Sequence, residues 1–302
     1  MTGNGRGDVS TSVRQRLLNI SRKTHQDFQV LCIRYAIERL LYRLSVSAYA
    51  DQYVLKGAML FSVWADTPLR ATRDADFLVF GTHNRESLKA MIKTVTGLSV
   101  CDDGLQFNAS SISVADIREN TSYNGFRITL KALLGTMIIP VQLDLGFGDV
   151  VTPEPVSIEY PALLEFPAPH IRCYPPESVI AEKVQAIVEL GMANSRMKDY
   201  YDLWIILERF PIHPDILSKA VAATFQRRRT ALPDDLPTGL TGVFAGRAEK
   251  QRQWQNFLQR NDLHDAPRGL GEVIENISSA LIPVFRAVNE NFIRKCSREP
   301  DL

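Results

Sequence analysis

The residues best suited to chemistry stand together in Arg73-Asp74-Ala75-Asp76-Phe77, where two aspartates two positions apart lead into an apolar, alternating run ending at Phe80. On an extended strand, residues i and i+2 share a face roughly 6 to 7 Å apart, so both carboxylates would point the same way. Hard divalent cations such as Mg2+ take carboxylate oxygens. Two-metal nucleotidyl transfer needs ions about 3.5 to 4 Å apart, one activating an attacking hydroxyl and the other steadying a triphosphate. An Asp-x-Asp pair alone is also common in surface turns. A third acid is available in Val141-Gln142-Leu143-Asp144-Leu145. There Asp144 either completes a metal site or faces solvent from a half-exposed strand.

Upstream, Lys56-Gly57-Ala58 lies between a strand-like run, Tyr53 to Lys56, and a helix-like stretch, Ala58 to Trp64. A glycine there lets backbone approach a phosphate, and a helix start offers N–H groups to an anion; a plain turn would use the same residue. A second charged group comes much later: Glu182 and Lys183, then Arg196, Lys198, Asp199 and Asp202. Asp199 and Asp202 share a helical face at i, i+3. Asp199 suits a helix start through the macrodipole. Asp202, inside Tyr200-Tyr201-Asp202-Leu203-Trp204, needs a partner if buried, with Lys183 or Arg196 as the candidates.

The elements that must position these groups follow from periodicity. Residues 12–45 carry apolar side chains at helical spacing, as one long or broken helix after a polar, flexible start. Asp74 to Phe80 reads as a strand and Arg85 to Val95 as a helix. Ser111 to Ile117, Phe126 to Leu134 and Met137 to Leu145 read as antiparallel strands, with Asn124-Gly125 and Gly135-Thr136 as turns. Seven prolines between Pro153 and Pro176 mark a lobe boundary. Beyond it the chain is helical: Glu177 to Leu190, Arg196 to Arg209, Pro214 to Arg228, Ala248 to Arg260 and Gly269 to Phe292. The expected class is α+β and two-lobed. Residues 1–155 form a core lobe with a mixed, largely antiparallel sheet, and 156–302 a helical bundle that completes the site.

Composition agrees. At 302 residues the chain exceeds one ordinary hydrophobic core, and 45% hydrophobic with 23% charged residues fits a globular protein without a membrane span. A net charge of +1 leaves any nucleic-acid binding to local clusters. Four separated cysteines, Cys32, Cys101, Cys173 and Cys296, argue against a zinc site or a disulfide framework and suit a reducing cytoplasm.

Taken in order, Val54 to Ala58, Arg70 to Asp76, Glu182-Lys183 and Arg196 to Asp202 resemble the AbiEii/AbiGii family of toxin nucleotidyltransferases. This is a branch of the polymerase-β-like superfamily, similar also to MenT-type toxins. The resemblance implies an N-terminal lobe of polymerase-β-like fold, an NTP substrate and Mg2+, or Mn2+ in its place. It implies Asp74 and Asp76 as metal ligands; Asp144, read from its strand, is the candidate third carboxylate. Lys183 would contact the triphosphate, and Asp202, with Asp199 nearby, would carry the acid of the last motif. Lys56, Gly57, Ala58, Arg70 and Arg196 would bind or orient substrate. Ala58 departs from members that carry a hydroxyl or a second glycine at this place, leaving backbone N–H groups as the phosphate contact.

The family's implied acceptor is RNA, foremost the 3′ end of tRNA, with a block of translation as the outcome and an antitoxin bearing a DNA-binding domain as partner. Arg227-Arg228-Arg229, Arg247, Lys250, Arg252, Trp254 and Arg260 could contact and stack on RNA. Transfer to a protein or small-molecule hydroxyl, or a non-catalytic nucleotide- or antitoxin-binding module, are the alternatives.

Overall fold

A computed structural model describes residues 5–64, 72–119 and 123–296. The chain forms two compact units, one of Met1–Gly148 with Val156–Cys173, the other of Asp149–Pro155 with Tyr174–Leu302. The sequence boundary at 155/156 therefore differs from the observed division: the segment Val156–Cys173 belongs with the sheet.

The first unit opens with α1 (Gly5–Thr24) and α2 (Phe28–Ser45). The polar start expected to be flexible is helical from Gly5. The long helix breaks at His25, whose φ is +58°, and restarts where the Asp27 carboxylate accepts the Val30 N–H at 2.9 Å. Strand β1 (Tyr53–Lys56), the short helix α3 (Phe61–Trp64), β2 (Ala75–Val79) and α4 (Arg85–Thr96) follow. Then come β3 (Leu105–Glu119), β4 (Tyr123–Leu134), β5 (Met137–Phe147), β6 (Val156–Glu159) and β7 (His170–Cys173). They form one sheet of order β3-β4-β5-β2-β1-β7-β6. Among the described residues the β2–β5 and β1–β7 pairs are parallel and the rest antiparallel.

Gly135, at φ +61°, turns β4 into β5 in a two-residue hairpin with Leu134 opposite Met137. Asn124-Gly125, expected as a turn, instead pairs within β4 against Arg118 and Ile117. Strands β6 and β7 were not anticipated in the proline-rich stretch; at four residues each, they fit between the prolines.

One face of this sheet is covered: Ile37, Leu40 and Leu41 of α2, Phe77 of β2, Ile92 of α4 and Leu143 of β5 surround a common apolar core space. Because side chains alternate along a strand, Asp76 and Asp144 must project from the opposite face.

The second unit holds α5 (Pro176–Leu190), α6 (Met197–Arg209), α7 (Pro214–Arg227), α8 (Gly242–Ala245), α9 (Ala248–Asn261) and α10 (Leu270–Cys296). Pro176 occupies the first turn of α5, where its missing N–H costs nothing. Tyr200 stacks on Phe244 with ring centroids 5.5 Å apart, and Trp254 is fully buried. Among the described residues no helix is long and apolar enough to cross a membrane.

Candidate active site

Strand register assembles the sheet unit's polar face. Lys56 pairs with Asp76 across β1 and β2, Asp76 with Asp144 across β2 and β5, and Asp144 with Arg127 across β5 and β4. Four charged residues therefore form one row across the strands, with neighbouring strands about 4.8 Å apart. Gly57, with φ +73°, passes directly under the Asp76 carboxylate; a Cβ at Gly57 would stand 2.9 Å from Asp76 Cγ and overlap its Oδ2. No other residue could occupy this place without moving that carboxylate. Asp74, just before β2, accepts the Thr72 hydroxyl on Oδ1 at 2.9 Å. Ala58 is buried behind the glycine turn.

Asp144 is already engaged. Arg127 donates to both its oxygens, Nε to Oδ1 at 2.8 Å and Nη2 to Oδ2 at 2.7 Å, and the Gln142 amide reaches Oδ1 at 3.3 Å. Hydrogen bonding to Asp144 raises the Arg127 pKa despite partial desolvation, helped by the charges of Asp144, Asp74 and Asp76. Arg127 was missed in the sequence, yet the hairpin held the signal. With Leu134 opposite Met137, counting equally back along β4 and forward along β5 brings Arg127 opposite Asp144.

Whether these residues suit a divalent ion can be judged from the donors. Asp74 and Asp76 offer hard oxygens from one face, one braced by Thr72 and the other seated on a glycine. Among the described residues no group of three or more His, Cys, Asp or Glu side chains is arranged to hold a metal. Asp144 would bring to a cation a carboxylate already paired with Arg127. The pair fits a hard cation; the triad does not stand assembled.

The helical unit carries the second constellation. Lys183 of α5 donates to Asp199 Oδ1 and to Asp202 Oδ2 of α6, each at 2.8 Å, and Arg196 Nε donates to Asp199 Oδ2 at 2.7 Å. Both acids are buried, whereas Lys183 retains 14% and Arg196 42% side-chain exposure. Burial alone would raise the Asp199 pKa. The charges of Lys183 and Arg196 and the Lys183 hydrogen bond outweigh it and hold the carboxyl below its ordinary value. Alongside, Arg228 pairs with Asp149 at 3.2 Å and Glu182 at 3.3 Å, and Tyr174 donates its hydroxyl to Glu182.

Arg70 lies outside the described residues. Of the basic stretch read as an RNA contact, Arg227, Arg229, Arg247, Arg252 and Arg260 are exposed, Arg228 is half-buried, and Lys250 and Trp254 are buried. Trp254 is core and donates its indole N–H to Pro267. Lys250 is buried and donates to the Asn194 carbonyl at 2.8 Å, and Arg228 is tied into the acidic cluster. Lys250, Trp254 and Leu258 recur every fourth residue and share the buried face of α9, which corrects the expectation for Lys250 and Trp254.

A protein-family comparison matches residues 39–286 to AbiEii, described as nucleotidyl transferase AbiEii toxin, type IV TA system. No curated protein matches the chain. Among solved structures, "Crystal structure of JHP933 from Helicobacter pylori" is similar, with TM-score 0.50 and 13% identity over 91% of this chain and 100% of that one. "Crystal structure of putative nucleotidyltransferase from H. pylori" gives 0.48 and 14% over 88% and 98%. At that identity the first likeness speaks for the fold alone. The family match spans most of the chain: this protein belongs to the AbiEii family of type IV toxin nucleotidyltransferases.

Proposed function

We propose that the protein transfers a nucleotidyl group from an NTP to the 3′ hydroxyl of RNA, foremost the acceptor end of tRNA, and thereby blocks translation in the cytoplasm. The observation that carries this reading is the row Lys56, Asp76, Asp144 and Arg127, with the Gly57 backbone forced against the Asp76 carboxylate. Asp74 and Asp76 would hold Mg2+, or Mn2+ in its place, and Asp144 would add a third carboxylate. A bound divalent ion supplies Lewis-acid activation of a hydroxyl and charge neutralisation on phosphate.

The protein's own groups do the rest. The glycine turn at Lys56-Gly57-Ala58 receives the phosphates through backbone N–H groups. The acceptor oxygen bonds to the α-phosphorus, the bond from that phosphorus to the bridging oxygen breaks, and pyrophosphate leaves. The hydroxyl proton passes to one carboxylate of the Asp74 and Asp76 pair. In the helical unit Lys183, its ammonium fixed by Asp199 and Asp202, is the residue this reading assigns to nucleotide contact, and Arg196 braces Asp199. Such catalysis is positioning plus electrostatics. An antitoxin with a DNA-binding domain is the partner this reading expects.

The test is incubation of the protein with each NTP, labelled in turn on the α- and the γ-phosphate, together with Mg2+ and total tRNA. Nucleotidyl transfer leaves α-label on the RNA 3′ end and γ-label in pyrophosphate. Label on the protein or on a small alcohol would replace the RNA acceptor in this account.

A further inference from the structure

A groove of about 520 Å3 lies in the sheet unit along residues 137–142 of β5. It exists because β2 is short. Leu143 is the first β5 residue that β2 pairs, opposite Ala75, so residues 137–142 of β5 have β4 on one side and an open edge on the other among the described residues. Gln29, Ile33, Arg73, Lys131, Ile138 and Gln142 are among the residues around it. Both ends of its polar lining touch the proposed site: Arg73 is the chain neighbour of Asp74, and the Gln142 amide contacts Asp144.

The groove's charge is one-sided. Its described lining includes Arg73 and Lys131 and no carboxylate, and neither cation is ion-paired among the described residues. Its remaining surface is largely apolar, with Ile138 59% exposed. An open strand edge could also recruit a peptide strand. Pro140, which offers no N–H, and the lysine alongside guard against that. Two cations beside apolar surface suit a polyanion, with phosphates of a single strand on the charges.

We infer that this groove receives the single-stranded 3′ end of the acceptor RNA and leads its terminal hydroxyl to Asp74 and Asp76. The inference rests on the nucleotidyl-transfer reading and adds where the acceptor binds.

The test uses the full chain and a 5′-labelled RNA with a single-stranded 3′ end, its binding followed by anisotropy across a salt series. Binding of a fluorescent ATP analogue is measured in parallel. Lys131 is exposed on a strand face, so Lys131→Gln should melt as wild type does. Removing one phosphate contact should weaken RNA binding about fivefold and lower the salt slope by about 0.7, with nucleotide affinity unchanged. Arg73→Gln should act in the same direction. Unchanged RNA affinity and slope in Lys131→Gln would overturn the inference and leave the groove a guarded edge. Loss of nucleotide rather than RNA affinity would overturn it by assigning the groove to the NTP. If the wild type neither binds nor labels RNA, the reading beneath falls, and the groove's assignment with it.

Discussion

At Gly57 one absent carbon decides where the Asp76 carboxylate can sit. Gly57→Ala adds a Cβ that overlaps Asp76 Oδ2 and places alanine at φ +73°. We expect about 1–3 kcal/mol lost in stability and turnover lowered about a hundredfold, read by thermal melting and α-label incorporation; near-normal turnover would show that the glycine is a plain turn. Lys183 poses the matching problem in the helical unit. Lys183→Met removes the cation shared by two buried carboxylates, of which Asp199 keeps Arg196, and should cost on the order of 3–5 kcal/mol. Combining it with Asp199→Asn and Asp202→Asn should restore most of the melting temperature but not turnover. Recovery of both would make the lysine purely structural. Sequence alone showed that Asp202 needed a cation, because an acid among Tyr201, Leu203 and Trp204 has few other ways to be buried. That Lys183 holds both acids at once depends on how α5 meets α6, which no spacing along one helix reveals.

The elements divide in how they respond to pH. Glu38 of α2 is pushed up to about 7 from an ordinary 4.5 by burial, against the opposing pull of Arg39 and of the Leu163 N–H at 2.7 Å. A raised carboxyl contributes stability that is complete below 4.5 and is lost as pH rises through about 7. The sheet unit should therefore melt higher at pH 5 than at pH 8 through this group, and Glu38→Gln should flatten that difference. Asp199 has the opposite sign. Its lowered pKa contributes stability above the ordinary 3.8 that is lost as pH falls through the folded value, so Asp199→Asn should lessen acid sensitivity of the helical unit. Melting curves of both variants from pH 3 to 8 check the pair; slopes matching wild type would contradict both assignments. Long elements were legible because period and turn agreed: β4 and β5 with Gly135 between them, and α5 to α7 between their prolines and glycines. The short β6 and β7 were not, since four residues cannot display a period and the prolines argued against strands.

Across the whole molecule, order in the sequence carried the family, and register in the fold explains why that order matters. Asp74 and Asp76 advertise themselves two residues apart. Asp144 and Arg127 join them only through pairing between strands that lie far apart in the chain. On α9 the helical phase buries Lys250 and Trp254 and leaves Arg252 and Arg260 exposed. What the account needs most is that Asp76 stands at the centre of the chemistry. The direct measurement is transfer of α-label from NTP to RNA by Asp76→Asn, with folding verified by melting. The account predicts a fall of about a thousandfold or more; transfer within a few fold of wild type would contradict it.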